Sequence, residues 1–122
     1  MIKLQCLVLR SPNPKKLVDF YEKIFGLHFT FQEYPHHFYK DGYIAYEENG
    51  GRAILEIHEL EDGELFFPAN FSFRVDSSVE LQEIKKCIWD YHFPDGYKIP
   101  DTSHDENIML DDIDGNKLFV MM

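Results

Sequence analysis

Apolar side chains at Leu17, Phe20, Tyr21 and Ile24 recur at intervals of three and four, with Lys15, Lys16, Asp19, Glu22 and Lys23 between them. That spacing predicts a helix over 14–25 that lays one apolar stripe on a sheet. Its ends are marked as well. Asn13 can cap the first turn, Pro14 sits where a missing N–H costs nothing, and Gly26 supplies a left-handed stop. Ile2–Leu9 reads as a strand before the helix and His28–Glu33 as one after it, closed by a corner at Tyr34-Pro35. Phe38–Glu48 reads as one long or broken strand with a bulge or turn at Asp41-Gly42, and Asn49-Gly50-Gly51 as a hairpin into the returning strand Arg52–His58.

The pattern then repeats at a fixed offset of 64 residues: Arg74 falls on Arg10, Ser77 on Asn13, Leu81 on Leu17, Ile84 on Phe20 and Ile88 on Ile24. Ser77 with Glu80 has the spacing of a capping box. A strand–turn–helix unit that recurs in this way predicts a duplicated module. The second half follows with a strand Ala69–Val75, a helix Ser78–Tyr91 and a short strand Tyr97–Ile99. A polar loop over 101–106, a strand Asn107–Asp111, a turn at Asp114-Gly115 and a closing strand Asn116–Met122 complete it. Residues 59–68 read as the link. The fold class is therefore α+β: two βαβββ modules, about 1–62 and 63–122, forming a curved, mostly antiparallel sheet with the helices outside and a concave inner face.

A chain of 122 residues is long enough to bury a core without disulfides or metals. The net charge of −10 repels phosphate, and no basic patch appears, so nucleic acid is not an expected partner. Cys6 falls in a strand and Cys87 in a helix, which predicts free thiols and a reducing compartment. No apolar run reaches membrane length and no leader pattern opens the chain, so the expectation is a cytoplasmic protein without membrane contact. Eleven Phe, seven Tyr and one Trp supply a core and suit a pocket for a flat ligand.

The segments LRSPNPKKLVDFYEKIFGL, AILEI and DDIDGNKLFVM resemble the glyoxalase I / bleomycin-resistance / extradiol-dioxygenase (vicinal oxygen chelate) superfamily, over nearly the whole chain. Metal-dependent members hold one divalent ion with four inward side chains, two per module. Carried onto this chain, the resemblance places those positions at Cys6, Glu56, Asn70 and Phe119. Glu56 alone has the expected chemistry. Cys6 suits a soft metal as thiolate, Asn70 is a weak donor, and Phe119 is none; a one-residue slip to Gln5 would not repair the set. The expectation is therefore that the family's usual metal centre is absent and that no cofactor is bound, with a divalent metal the disfavoured alternative.

Glu56 and His58 lie two apart on one strand and so share a face. They form an acid/base pair, two ligands of an unorthodox metal site, or a hydrogen-bonded pair that satisfies buried charge. Arg10 stands where glutathione-using relatives hold a substrate carboxylate, with Arg74 as its mate. The two either grip an anionic ligand or neutralise inward acids. Other histidines contribute less. Adjacent His36 and His37 face opposite ways in a strand, Ser103-His104-Asp105 cannot adopt triad geometry as neighbours, and His58-Glu59 does not continue to a zincin motif. Asp112-Ile113-Asp114-Gly115 lacks calcium ligands at both ends of the aligned loop, Leu110 and Met121.

The expected function is a metal-independent small-molecule binder of the bleomycin-resistance kind, working as a homodimer, with ligand contacts from Arg10, Cys6, Asn70, Arg74 and Phe119. The alternative is a lyase, isomerase or dioxygenase that uses Glu56 as base or metal ligand in a non-standard site, with His58 or Cys6 assisting. A third possibility is an accessory role with the groove packed shut.

Overall fold

The structure is a computed structural model and describes residues 6–33, 42–47 and 51–122. Gln5, the Tyr34-Pro35 corner, His36, His37, Asp41 and the Asn49-Gly50 part of the hairpin lie outside the described residues. The chain divides into two units: one of Met1–Glu22 with Gly26–Phe67, the other of Lys23–Phe25 with Pro68–Met122.

The first unit carries β1 (Leu7–Ser11), most of α1 (Pro14–Phe25), β2 (Phe29–Gln32), β3 (Gly42–Tyr46) and β4 (Ala53–Glu59). Asn13 caps α1 by accepting the Lys16 amide at 3.4 Å, and Gly26 at φ 68° ends it, its own amide donating to the Glu22 carbonyl at 3.0 Å. A left-handed φ of that kind is what a residue without Cβ adopts freely. Strand order is β1-β4-β3-β2, with β1 parallel to β4 and the other pairs antiparallel. Side chains alternate across the sheet, so Leu9, Leu55, Ile57 and Ala45 share one face and are buried. Leu17, Phe20 and Tyr21 of the helix stripe are likewise buried to 0 % exposure, each worth roughly 1.5–3 kcal/mol in transfer terms. The opposite face carries Val8 and Arg10 from β1, Glu56 and His58 from β4, and Ile44 and Gly42 from β3.

The second unit carries β5 (Asn70–Arg74), α2 (Ser78–Asp90), β6 (Asn107–Asp111) and β7 (Lys117–Met121), in the sheet order β5-β7-β6. Here β5 runs parallel to β7 and β6 antiparallel to it. The second unit repeats the strand–helix start of the first and its closing antiparallel pair. Ser77 caps α2 through the Glu80 amide, as Asn13 caps α1, and Leu81, Ile84 and Ile88 are buried as Leu17, Phe20 and Ile24 are. The reciprocal arm of the capping box lands one residue early: the Asp76 amide, not that of Ser77, donates to Glu80.

One expected strand does not form. Tyr97–Ile99 is irregular, so the second unit lacks a counterpart of β2. The reason lies in Tyr97, whose ring stacks on Phe93 with centroids 4.2 Å apart while its hydroxyl donates to the Asp111 carbonyl at the end of β6. Both commitments hold the side chain in place of a strand register. Sheets in the two units are mixed, three of the five pairings being antiparallel. Both cysteines are free thiols, and no helix is long and apolar enough to cross a membrane among the described residues.

The Asp112–Asn116 turn is a structural tie. Asp112 accepts the amides of Asp114 (2.9 Å) and Asn116 (3.0 Å) on one oxygen and the Asn116 side-chain amide (2.8 Å) on the other. Asn116 Oδ1 in turn accepts the Ala69 amide at 2.7 Å, fastening the turn to the entry of β5.

Candidate functional site

Parallel pairing of β1 with β4 sets Val8 beside Glu56 and Arg10 beside His58. Cys6, immediately before β1, reaches the same face. Its Sγ donates to Glu56 Oε2 at 2.8 Å, and His58 Nε2 stands 3.5 Å from Glu56 Oε1. The structure thus brings three predicted site residues into one cluster. His58 is 1 % exposed and Glu56 18 %, so the carboxylate is the part that a ligand in solvent can reach. Burial, then the hydrogen bond to Glu56 and its charge, push the Cys6 thiol up to about 11. At neutral pH Cys6 is therefore a thiol that donates.

Gly42 seats the imidazole. It pairs with His58 across the β3–β4 ladder, and a Cβ at Gly42 would stand 2.4 Å from His58 Nδ1 and 2.8 Å from the Ile57 carbonyl oxygen. Only the absence of a side chain lets the ring lie against β3. Sequence reading gave Gly42 a turn role and missed this one, because the pairing of Gly42 with His58 is a property of register.

Arg10 is already engaged. Its Nε donates to Glu64 Oε2 at 3.2 Å, and Glu64 belongs to the turn that follows β4. Glu64 had no role in the sequence reading, and no local signal marks it. Its carboxyl is held below the usual carboxylate range by the Glu61 amide first and Arg10 second.

In the second unit, Asn70, Ser72 and Arg74 of β5 share a face with Lys117, Phe119 and Met121 of β7, since Ser72 pairs with Phe119 and Arg74 with Met121. Arg10 corresponds to Arg74 and Val8 to Ser72, so the ladder makes Phe119 the positional counterpart of Glu56. Asn70 and Arg74 are exposed. Arg74 borders an open depression of about 420 Å³ together with Asp76, Ser77 and Met122. The loop histidine His104 pairs with Asp101 at 3.5 Å, both well exposed, while the Ser103 amide closes on the same aspartate at 2.8 Å.

Glu56 accepts from the Cys6 thiol, and among the described residues no group of three or more His, Cys, Asp or Glu is placed to hold an ion.

A family model described as Glyoxalase/Bleomycin resistance protein/Dioxygenase superfamily matches residues 3–118. No curated protein matches the chain. Among solved structures, a possible glyoxalase from Bacillus cereus is 15 % identical with a TM-score of 0.62, covering 100 % of both chains. A glyoxylase/bleomycin resistance protein/dioxygenase domain from Frankia sp. EAN1pec is 15 % identical with a TM-score of 0.68, covering 100 % of this chain and 98 % of its own. A mutant of the fosfomycin resistance protein FosX from Listeria monocytogenes, complexed with Mn(II) and 1S,2S-dihydroxypropylphosphonic acid, is 16 % identical with a TM-score of 0.67, covering 99 % and 93 %. Identities this low show a shared fold and carry no chemistry with them.

Proposed function

The chain belongs to the Glyoxalase/Bleomycin resistance protein/Dioxygenase superfamily, and from that premise we propose that it is a metal-independent small-molecule-binding protein whose ligand lies on the sheet face bearing Cys6, Glu56 and His58. One observation carries this reading: the Cys6 thiol donates to Glu56 at 2.8 Å, so the one carboxylate among the positions where the resemblance places metal ligands is already engaged. A neutral or hydrogen-bonding ligand can use the solvent-facing part of Glu56 and the exposed apolar neighbour Val8 on the adjacent strand.

The test has two arms. Protein purified without chelator is analysed for bound metal, and planar aromatic ligands are screened for a rise in melting temperature. Sub-stoichiometric metal together with stabilisation by members of the panel is the expected result. One tightly held nickel, zinc or iron per chain overturns it.

A second reading has its own support. A carboxylate 3.5 Å from a buried imidazole is an arrangement that can take up and pass on a proton, which favours a glyoxalase-like lyase or isomerase with Glu56 as base. It predicts that Glu56→Gln abolishes turnover of a hemithioacetal substrate while the protein remains folded.

A further inference from the structure

We propose that Glu64 is a built-in occupant of Arg10, a carboxylate carried by the chain itself that an anionic ligand must displace. The inference rests on the binding role proposed above for this sheet face. Arg10 lies on that face directly beside His58, since the two are partners in the β1–β4 ladder. Its Nε donates to Glu64 Oε2 at 3.2 Å, and both side chains remain partly open to solvent, at 22 % and 30 %. A competing ligand can therefore reach the pair without unfolding the core.

The turn that delivers Glu64 is built to present a carboxylate. Glu64 Oε1 accepts the Glu61 amide at 2.8 Å, and the Glu64 amide donates to the Glu61 carbonyl at 3.0 Å. Gly63, at φ 78°, makes that tight closure possible. The Leu60 amide donates to the Ser11 carbonyl at 3.0 Å, so the turn is hinged on the end of the same strand that carries Arg10. One oxygen of Glu64 thus closes its own turn while the other accepts from the Nε of the guanidinium. A ligand carboxylate that takes the Nε edge of the guanidinium competes with Glu64 for that donor. Leu65 and Phe67 follow at 74 % and 77 % exposure, so displacement of Glu64 has little packing to undo beyond the turn.

Binding is therefore an exchange of one carboxylate for another, and the latch lowers affinity for anionic ligands while leaving neutral ones untouched. Benzoate and its neutral isostere benzamide serve as probes, titrated by amide NMR shifts into the wild-type chain, Glu64→Gln and Glu59→Gln. Glu59→Gln makes the same change in net charge at the exposed end of β4. An exposed ion pair of ordinary strength predicts about fivefold tighter benzoate binding in Glu64→Gln. Benzamide affinity stays the same in all three chains, and benzoate affinity in Glu59→Gln stays at the wild-type value. Hydrogen exchange over 60–67 in the wild type should quicken on addition of benzoate. Equal benzoate affinity in wild type and Glu64→Gln, an equal gain in Glu59→Gln, or no benzoate binding by any of them overturns the latch. Failure of the underlying binding role reads differently: no aromatic ligand, charged or neutral, perturbs Val8, Ile44 or His58 in any variant.

Discussion

Replacing Gly42 by alanine tests how the His58 imidazole is held. The new Cβ would lie 2.4 Å from His58 Nδ1, 2.7 Å from Cε1 and 2.8 Å from the Ile57 carbonyl oxygen. Ordinary contact begins near 3.4 Å, so the ring must retreat by about 1 Å. It has nowhere open to go, being 1 % exposed, and the neighbouring carbonyl belongs to the β3–β4 ladder and cannot retreat alone. Overpacking of this kind costs about 1–3 kcal/mol. Gly42 is not among the positive-φ glycines, so alanine also returns about 0.4–1 kcal/mol by narrowing the unfolded ensemble. The net loss expected is about 1–2 kcal/mol, which shifts the thermal midpoint of a chain this size down by roughly 3–8 °C. Urea unfolding gives the free energy, provided that the transition is two-state. The decisive measurement is the same substitution in a His58→Ala background. With the ring gone, two of the three close approaches vanish, so the cost of Gly42→Ala should fall by at least half. An equal cost in both backgrounds, or no cost in either, refutes the account of Gly42 as the seat of the imidazole.

Three further outcomes follow from particular contacts. Alkylation of Cys6 by iodoacetamide should be slow at pH 8 and keep accelerating with pH towards 11, and Glu56→Gln should shift that profile to lower pH; mass spectrometry at Cys6 against Cys87 reads it. The sign for stability is the same in origin: the folded chain holds this proton more tightly than the unfolded one, so the contribution is intact below pH 9 and is lost as pH rises towards 11. Asp112→Ala leaves the Asp114 and Asn116 donors without their acceptor in a buried turn and should cost about 2–4 kcal/mol by urea unfolding, whereas Asp112→Asn retains part of that. Ser77→Ala and Asn13→Ala should each cost about 1 kcal/mol, in parallel, since the two residues cap pseudo-equivalent helices through the same amide position.

What was legible in the sequence is what local physics decides. The α1 stripe, its Asn13 cap and its Gly26 stop were readable because periodicity and caps act within a turn or two. The repeat was readable because burial falls on the same steps in both helices. Tyr97–Ile99 was misread as a strand because alternation cannot register a stacking partner at Phe93 or an acceptor at Asp111. Lys85 shows the same limit: it is buried at 7 % on α2, with its ammonium donating to the His104 carbonyl across the loop. Within the site, the Glu56–His58 pairing followed from a period of two, and Cys6 was brought there by family resemblance. Gly42 and Glu64 were beyond reach, since one depends on strand register and the other on where a turn lands.

The two units share a framework and differ in what the corresponding strand faces carry. The framework residues are held in common: arginines late in the first strand of each unit, capped helices after them, and a parallel pairing with the closing strand. The inner faces are not. Where Glu56 stands beside Val8, Phe119 stands beside Ser72, and where His58 stands beside Arg10, Met121 stands beside Arg74. A buried carboxylate must find donors or carry the cost of burial, and here the Cys6 thiol donates to Glu56 while the His58 imidazole stands 3.5 Å away. Glu56→Leu alone would therefore leave Cys6 and His58 facing an apolar surface and destabilise the first unit. Combined with Cys6→Ala and His58→Leu it should recover much of that loss, because a fully apolar cluster has no unmet donors. Stability of the triple variant below that of Glu56→Leu would mean that the cluster is held by packing demands other than its hydrogen bonds.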